Sequence, residues 1–252
     1  MNSFLPWVAM REGMSLDEIV VGCPITDDLG RKVSAQMRSA WSYYHFPEVT
    51  LRLSSPGGEL LGMERILDEI GECRSEGVRV RTICDGPVAS AAAIIASAGS
   101  PGMREASPQA RLLYHEPRYR ALGDMPHTES RLYSLASGLN HATERMLENL
   151  LGQLDATASE TEVMLSPENL SDRLATQFAQ AHHGDGPWPL REAYRTLFRL
   201  ELWISPEEAC ALRLLDHCTR RRLPPYRAEG GRRPVGDCTV NSPDPGMNRS
   251  SE

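Results

Sequence analysis

The chain has no excess of positive charge. Its 27 Lys and Arg stand against 34 Asp and Glu, a formal net charge of -7. A general nucleic-acid binder would carry a basic face, so that class is not expected. The negative balance is mild and speaks to solubility more than to partners. Paired cysteine motifs are also missing. Cys23, Cys73, Cys84, Cys210, Cys218 and Cys238 form no C-x-x-C pair and no Cys/His cluster of zinc spacing, so no metal site or cofactor is expected. Several lie in apolar segments, where buried free thiols are common, and reduced thiols of a cytoplasmic protein are the expectation. Long apolar runs are absent too. The longest, from 89 to 98, holds two serines and is too short to span a bilayer. Residues 1–10 show no basic stretch followed by an apolar one, so no signal peptide is expected.

What is present suits a core. Forty per cent of 252 residues are hydrophobic, enough for one large domain or two small ones. Strand and helix signals alternate over the first 115 residues. Strands are expected over 18–23, 49–53, 78–84 and 110–114. Between them, Asp27-Asp28 can cap a helix to about Tyr44, with Leu29, Val33, Met37 and Trp41 on one face. A second helix over 59–74 places Leu60, Leu61, Met63, Ile66, Leu67 and Ile70 at helical spacing, and a short Ala-rich helix covers 90–98. This alternation implies an α/β fold with a largely parallel sheet, whose sites gather where strands end and helices begin.

Beyond residue 128 a long helix to about 153 carries the stripe Leu132, Leu135, Leu139, Ala142, Met146 and Leu150. A helix near 168–181, a loop at 182–187 and a helix over 190–200 follow. Ser205-Pro206-Glu207-Glu208 reads as a helix start, with Ser as cap, Pro next and Glu at the third position. Leu165-Ser166-Pro167-Glu168 echoes Ile204-Ser205-Pro206-Glu207. Pro, Gly, Arg and Ser dominate after Arg220, the composition of a disordered tail over 221–252.

Three short motifs bear on chemistry. Ser54-Ser55-Pro56-Gly57-Gly58 is a glycine turn at a strand end. Gly86-Pro87-Val88-Ala89-Ser90-Ala91 sets a serine at the start of the Ala-rich helix. His115 follows Ser90 by 25 residues, after an apolar strand. A serine hydroxyl is a weak nucleophile and needs an adjacent base, itself oriented by a third group. Backbone N–H groups must meet the developing oxyanion, and glycines expose amides readily. Taken singly, each motif has an ordinary structural role as helix cap, hydrogen-bonded histidine or turn. Their order in a βα chain points to a serine hydrolase.

These residues resemble the Clp protease proteolytic subunit family. The resemblance is carried by E-I-V-V-G-C-P-I-T-D-D, L-R-L-S-S-P-G-G, T-I-C-D-G-P-V-A-S-A and A-R-L-L-Y-H-E-P, and more weakly by L-W-I-S-P-E-E-A-C-A-L-R-L-L-D-H-C from Leu202. It implies a crotonase-like fold of repeated ββα units with a protruding helical handle, occupying 18–220 after an N-terminal segment 1–17. It implies Ser90 as nucleophile, His115 as base, and oxyanion donors among Gly57, Gly58 and Ala91. It also implies polypeptide substrates and stacked homo-oligomeric rings fed by an ATP-driven unfoldase. The flanks of Glu201 match those of the family's acid, while an insertion over about 156–190 separates it from His115; Glu162 and Asp155 are the other choices. Two rival readings are a ring subunit kept for assembly, with turnover lost, and a crotonase-type acyl-CoA enzyme. The latter class generally lacks a Ser/His pair at this spacing, and no adenine-binding signature is present.

Overall fold

The computed structural model describes residues 17–118, 128–152 and 164–219. Strands β1 (Glu18–Val21), β2 (Glu48–Leu53) and β3 (Arg79–Cys84) pair in parallel. They continue through β5 (Arg104–Ala106) to β10 (His217–Cys218), giving one parallel sheet in the order β1-β2-β3-β5-β10. A smaller sheet joins β4 (Pro87–Ala89) in parallel to β6 (Arg111–Leu113), and β6 antiparallel to β9 (Trp203–Ile204). Twice in succession, β3 to β4 and β5 to β6, the chain leaves the large sheet and enters the small one. The molecule is therefore a mixed α/β fold with a parallel sheet, as the alternating pattern implies.

Alternation explains the strands. In β2 Val49, Leu51 and Leu53 are buried while Glu48, Thr50 and Arg52 are partly exposed. The open face carries charge across the ladder: Arg52 meets Glu18 and Asp85, and Arg81 meets Glu48 and Glu105.

Helix α1 (Asp27–Arg38) packs on α2 (Leu60–Ser75). Its cap is Thr26, whose hydroxyl accepts from the Leu29 amide at 3.2 Å, and not Asp27 or Asp28. The two aspartates sit in the first turn, where they favour the positive helix end. Nor does α1 run to Tyr44; it gives way to a π-helical turn over Ser39–Tyr43. There Trp41 donates to the buried Glu69 carboxylate, which also takes Arg38. In α2 Met63, Ile66 and Ile70 are buried, but Leu61 is 50% exposed, because it lies nearly half a turn away from that stripe. A Cβ on Gly30 would meet the Gly62 oxygen at 2.6 Å, so the two helices touch backbone to backbone.

Helix α3 (Ala91–Ser97) is buried throughout. Helix α4 (Glu129–Leu151), capped by Thr128, is buried only in its second half, at Ala142, Met146, Leu147, Leu150 and Leu151. Leu132 and Tyr133, in its first half, are 52% and 77% exposed, so only part of the expected stripe reaches a core.

Next come β7 (Met164–Leu165), a 3-10 turn over Pro167–Asn169, α5 (Asp172–His182) and β8 (Trp188–Pro189), with β7 antiparallel to β8. Phe178, His182 and Trp188 form a ring cluster, and His182 Nε2 bonds Thr196 on α6 (Leu190–Leu200) at 2.8 Å. The expected helix near 168–181 thus splits into a turn and α5. Helix α7 (Pro206–Ala211) opens with the complete Ser205/Glu208 capping box. The sequence echo has a structural counterpart: each Ser-Pro-Glu follows a two-residue strand and begins a helical turn. The tail at 221–252 lies outside the described residues.

Candidate functional site

The site grows from three strand ends. Strand β2 ends at Leu53, and the turn that follows is organised by the buried Ser55. Its hydroxyl donates to the Cys23 carbonyl at 2.7 Å and accepts from the Gly57 amide at 3.1 Å. Sequence reasoning missed Ser55; the legible signal is a hydroxyl residue two places before a glycine, the pattern of a side-chain-closed turn. The Ile25 amide donates to the Gly57 carbonyl at 2.8 Å, and the Glu59 amide donates to the Ile25 carbonyl at 2.6 Å. A Cβ on Gly58 would lie 2.1 Å from that Ile25 oxygen, so only glycine fits there.

The turn is pressed against Ser90. A Cβ built on Gly57 would stand 2.5 Å from the Ala89 oxygen, 2.6 Å from Ser90 Cβ and 3.0 Å from the Ala91 nitrogen. Gly57 has φ +87, a conformation that costs glycine little. Among the described residues, the Gly58 and Ala91 amides have no acceptor, whereas the Gly57 amide is taken by Ser55.

Ser90 closes β4 and precedes α3 with φ 57 and ψ -128, and its side chain makes no capping bond. The ordinary role of a serine at a helix start is therefore not the one Ser90 fills. Its backbone lies in a sparsely populated region, a strain of about 1–3 kcal/mol that the surroundings must hold in place. They do so on both sides. The Ser90 amide donates to the Leu113 carbonyl at 2.7 Å, and its carbonyl accepts from Ala93 at 2.9 Å. A sharp strand-to-helix turn that lifts a hydroxyl clear of the backbone is the arrangement hydrolytic serines use.

His115 comes two residues after Leu113, so the β4–β6 ladder brings its segment beside Ser90. Buried Tyr114 anchors that segment, bonding Ser97 Oγ at 2.8 Å and stacking on Phe198. His115 Nδ1 stands 2.6 Å from the Glu116 carbonyl. A carbonyl only accepts, so Nδ1 carries the proton. The neutral ring then keeps its lone pair on Nε2, the atom a base presents to a serine. Among the described residues, no hydrogen bond joins Ser90 Oγ to His115, and none joins His115 to a carboxylate.

Glu201 ends α6 in a left-handed conformation. The β6–β9 register pairs Leu113 with Trp203; continued by two places, it sets Glu201 opposite His115. Its carboxylate is taken by Arg118. The hydrogen bond from that guanidinium, and its charge, hold the Glu201 carboxyl below its ordinary range. A second pair, Arg199 with Glu116 at 3.6 Å, joins α6 to the segment after β6. Glu162 and Asp155 lie outside the described residues.

Three of the thiols are not rivals to Ser90. Burial pushes Cys73 and Cys84 up to about 12, and Cys210 up to about 11. Nucleophilic cysteines are thiolates at neutral pH, and these are not.

Comparison with known proteins finds relatives of this chain. The family model described as Clp protease matches residues 9–172. The ATP-dependent Clp protease proteolytic subunit 1 of Cutibacterium acnes is 30% identical over 133 residues, covering 53% of this chain and 59% of that protein. Subunit 1 of Rhodococcus jostii is 36% identical over 99 residues, 39% of this chain and 44% of that protein. Subunit 2 of Corynebacterium jeikeium is 30% identical over 145 residues, 58% and 66% respectively. The aligned parts thus span between 44% and 66% of these relatives' length. The family match includes the glycine turn, Ser90 and His115, and it stops before Glu201. With most of its length inside that match, the chain belongs to the Clp protease family.

Proposed function

We propose that the chain is a serine endopeptidase of the Clp type. The carrying observation is the strained Ser90, wedged between the Gly57 turn and the His115 segment within the matched region. Ser90 Oγ attacks a peptide carbonyl while His115 Nε2 takes its proton. The Gly58 and Ala91 amides, with Gly57 behind them, receive the oxyanion. His115 then protonates the leaving amine, and water, deprotonated by the same ring, hydrolyses the acyl-enzyme. Glu201 is the acid that orients and charge-balances His115. No metal or organic cofactor takes part.

The crotonase-like arrangement, the stacked homo-oligomeric rings and the ATP-driven unfoldase belong to the same proposal. The exposed Leu132 of α4, with the half-buried Leu135 and Leu139 at helical spacing from it, supports an assembly, since apolar side chains grouped on a helix face mark interaction surfaces. The relatives' names specify ATP-dependent proteolysis, and the proposal extends it to this chain. A second reading, a ring subunit without turnover, is favoured by one observation: Glu201 is bound to Arg118 and not to His115.

Turnover of an unstructured polypeptide decides between the two. Ser90→Ala and His115→Ala are expected to abolish it to similar extents, and the double variant to be hardly worse than either. Full turnover by Ser90→Ala overturns the peptidase reading. No turnover by the unaltered chain in its assembled state favours the second.

A further inference from the structure

The acid opposite His115 already has a partner. Arg118 Nη2 binds Glu201 Oε2, while His115 Nδ1 is occupied by its neighbour's carbonyl at 2.6 Å. Both belong to one strand-end arrangement, in which the residues after His115 are fastened to the end of α6 by Arg118–Glu201 and Glu116–Arg199. The Arg118 and Glu201 side chains are 64% and 41% exposed, so their pair is screened by water and salt and breaks easily.

We propose that Arg118 is a positioning residue acting through Glu201: an ionic latch that holds the carboxylate away from His115 and sets the fraction of molecules with a completed triad. The inference rests on the peptidase reading above. In the latched arrangement the Glu116 carbonyl fixes the His115 tautomer, but it carries no charge to balance the imidazolium that forms as Ser90 attacks. When the latch opens, Glu201 reaches Nδ1–H and supplies that charge. The latch lowers the turnover number and leaves substrate affinity alone, because neither partner contacts the glycine turn or Ser90.

The test measures kcat and KM for peptide cleavage in the assembled protein, with fluorophosphonate labelling of Ser90 followed alongside. Arg118→Gln is expected to raise kcat about two- to fivefold at unchanged KM, the scale of one exposed ion pair. Arg118→Lys, which keeps the charge, stays near the unaltered protein, as does Arg199→Gln, which removes only the neighbouring pair. In a Glu201→Gln background, Arg118→Gln changes nothing, an outcome that a purely structural role for Arg118 does not give. Raising the salt concentration speeds the unaltered protein and not Arg118→Gln. An unchanged or lowered kcat in Arg118→Gln, with Ser90 still labelled, overturns the latch alone, as does an equal rise in the Glu201→Gln background or in Arg199→Gln. Absence of label at Ser90 in every variant overturns the peptidase reading and the latch with it.

Discussion

The tightest constraint in the site is borne by a residue without a side chain. Gly57 holds φ +87, and any Cβ there enters the space of Ala89, Ser90 and Ala91. Gly57→Ala is therefore expected to keep the fold and lose the chemistry. Strain and crowding should cost about 1–3 kcal/mol, read as a lower urea midpoint. Displacing Ser90 by about an ångström should cut turnover about a hundredfold. A variant with unchanged turnover contradicts the close packing of turn and nucleophile. Ser90, His115 and the glycine pair stood out in the sequence as candidates, since the glycine pair and His115 follow expected strands and Ser90 opens the Ala-rich helix. Ser55 was not, since its two bonds serve the turn and leave no periodic trace. Arg118 was not, because its partner lies 83 residues away and only the β6–β9 register brings them together.

Among elements, those with strong local signals were read closely. Helix α6 runs over Leu190–Leu200 as expected, and α7 starts on its capping box. The two-residue strands β7, β8, β9 and β10 are too short to show alternation and exist through tertiary pairing. The π-helical turn after α1 follows from Trp41 reaching Glu69, a contact no local pattern encodes. Edge strand β10 is tied to β5 by ions as well as by the ladder. Asp216 takes both Arg104 Nη2 at 2.5 Å and Nε at 2.9 Å, with Arg104 only 6% exposed. Burial of Asp216 opposes its charge, but the bonds from Arg104 outweigh it and hold the carboxyl below 3.8. The unfolded chain, with the ordinary value, binds this proton first as pH falls. The pair's stabilisation is thus complete above about pH 5, and it fades as pH drops below 3.8 toward the folded-state value. Asp216→Asn strands a buried guanidinium, and should cost about 3–5 kcal/mol at pH 7. The gap in urea midpoint between the two proteins should narrow from pH 5 to pH 3. A gap that is small at pH 7, or that widens on acidification, contradicts this role.

At the scale of the whole molecule, the parallel sheet and its covering helices followed from strand–helix alternation alone, while the second sheet did not. Its strands β4 and β6 are three residues each, and the pairing of β6 with β9 spans about 90 residues of chain. That small sheet brings the Ser90, His115 and Glu201 segments side by side, so the site depends on the element least visible in the sequence. The central claim is that this convergence makes Ser90 a nucleophile activated by His115. Treatment of the full chain with a fluorophosphonate, followed by peptide mass mapping, tests it directly. The account predicts one adduct, on Ser90, formed rapidly in the unaltered protein and at least about a hundredfold more slowly in His115→Ala. Labelling that is absent, falls on another serine, or proceeds equally fast without His115 contradicts it.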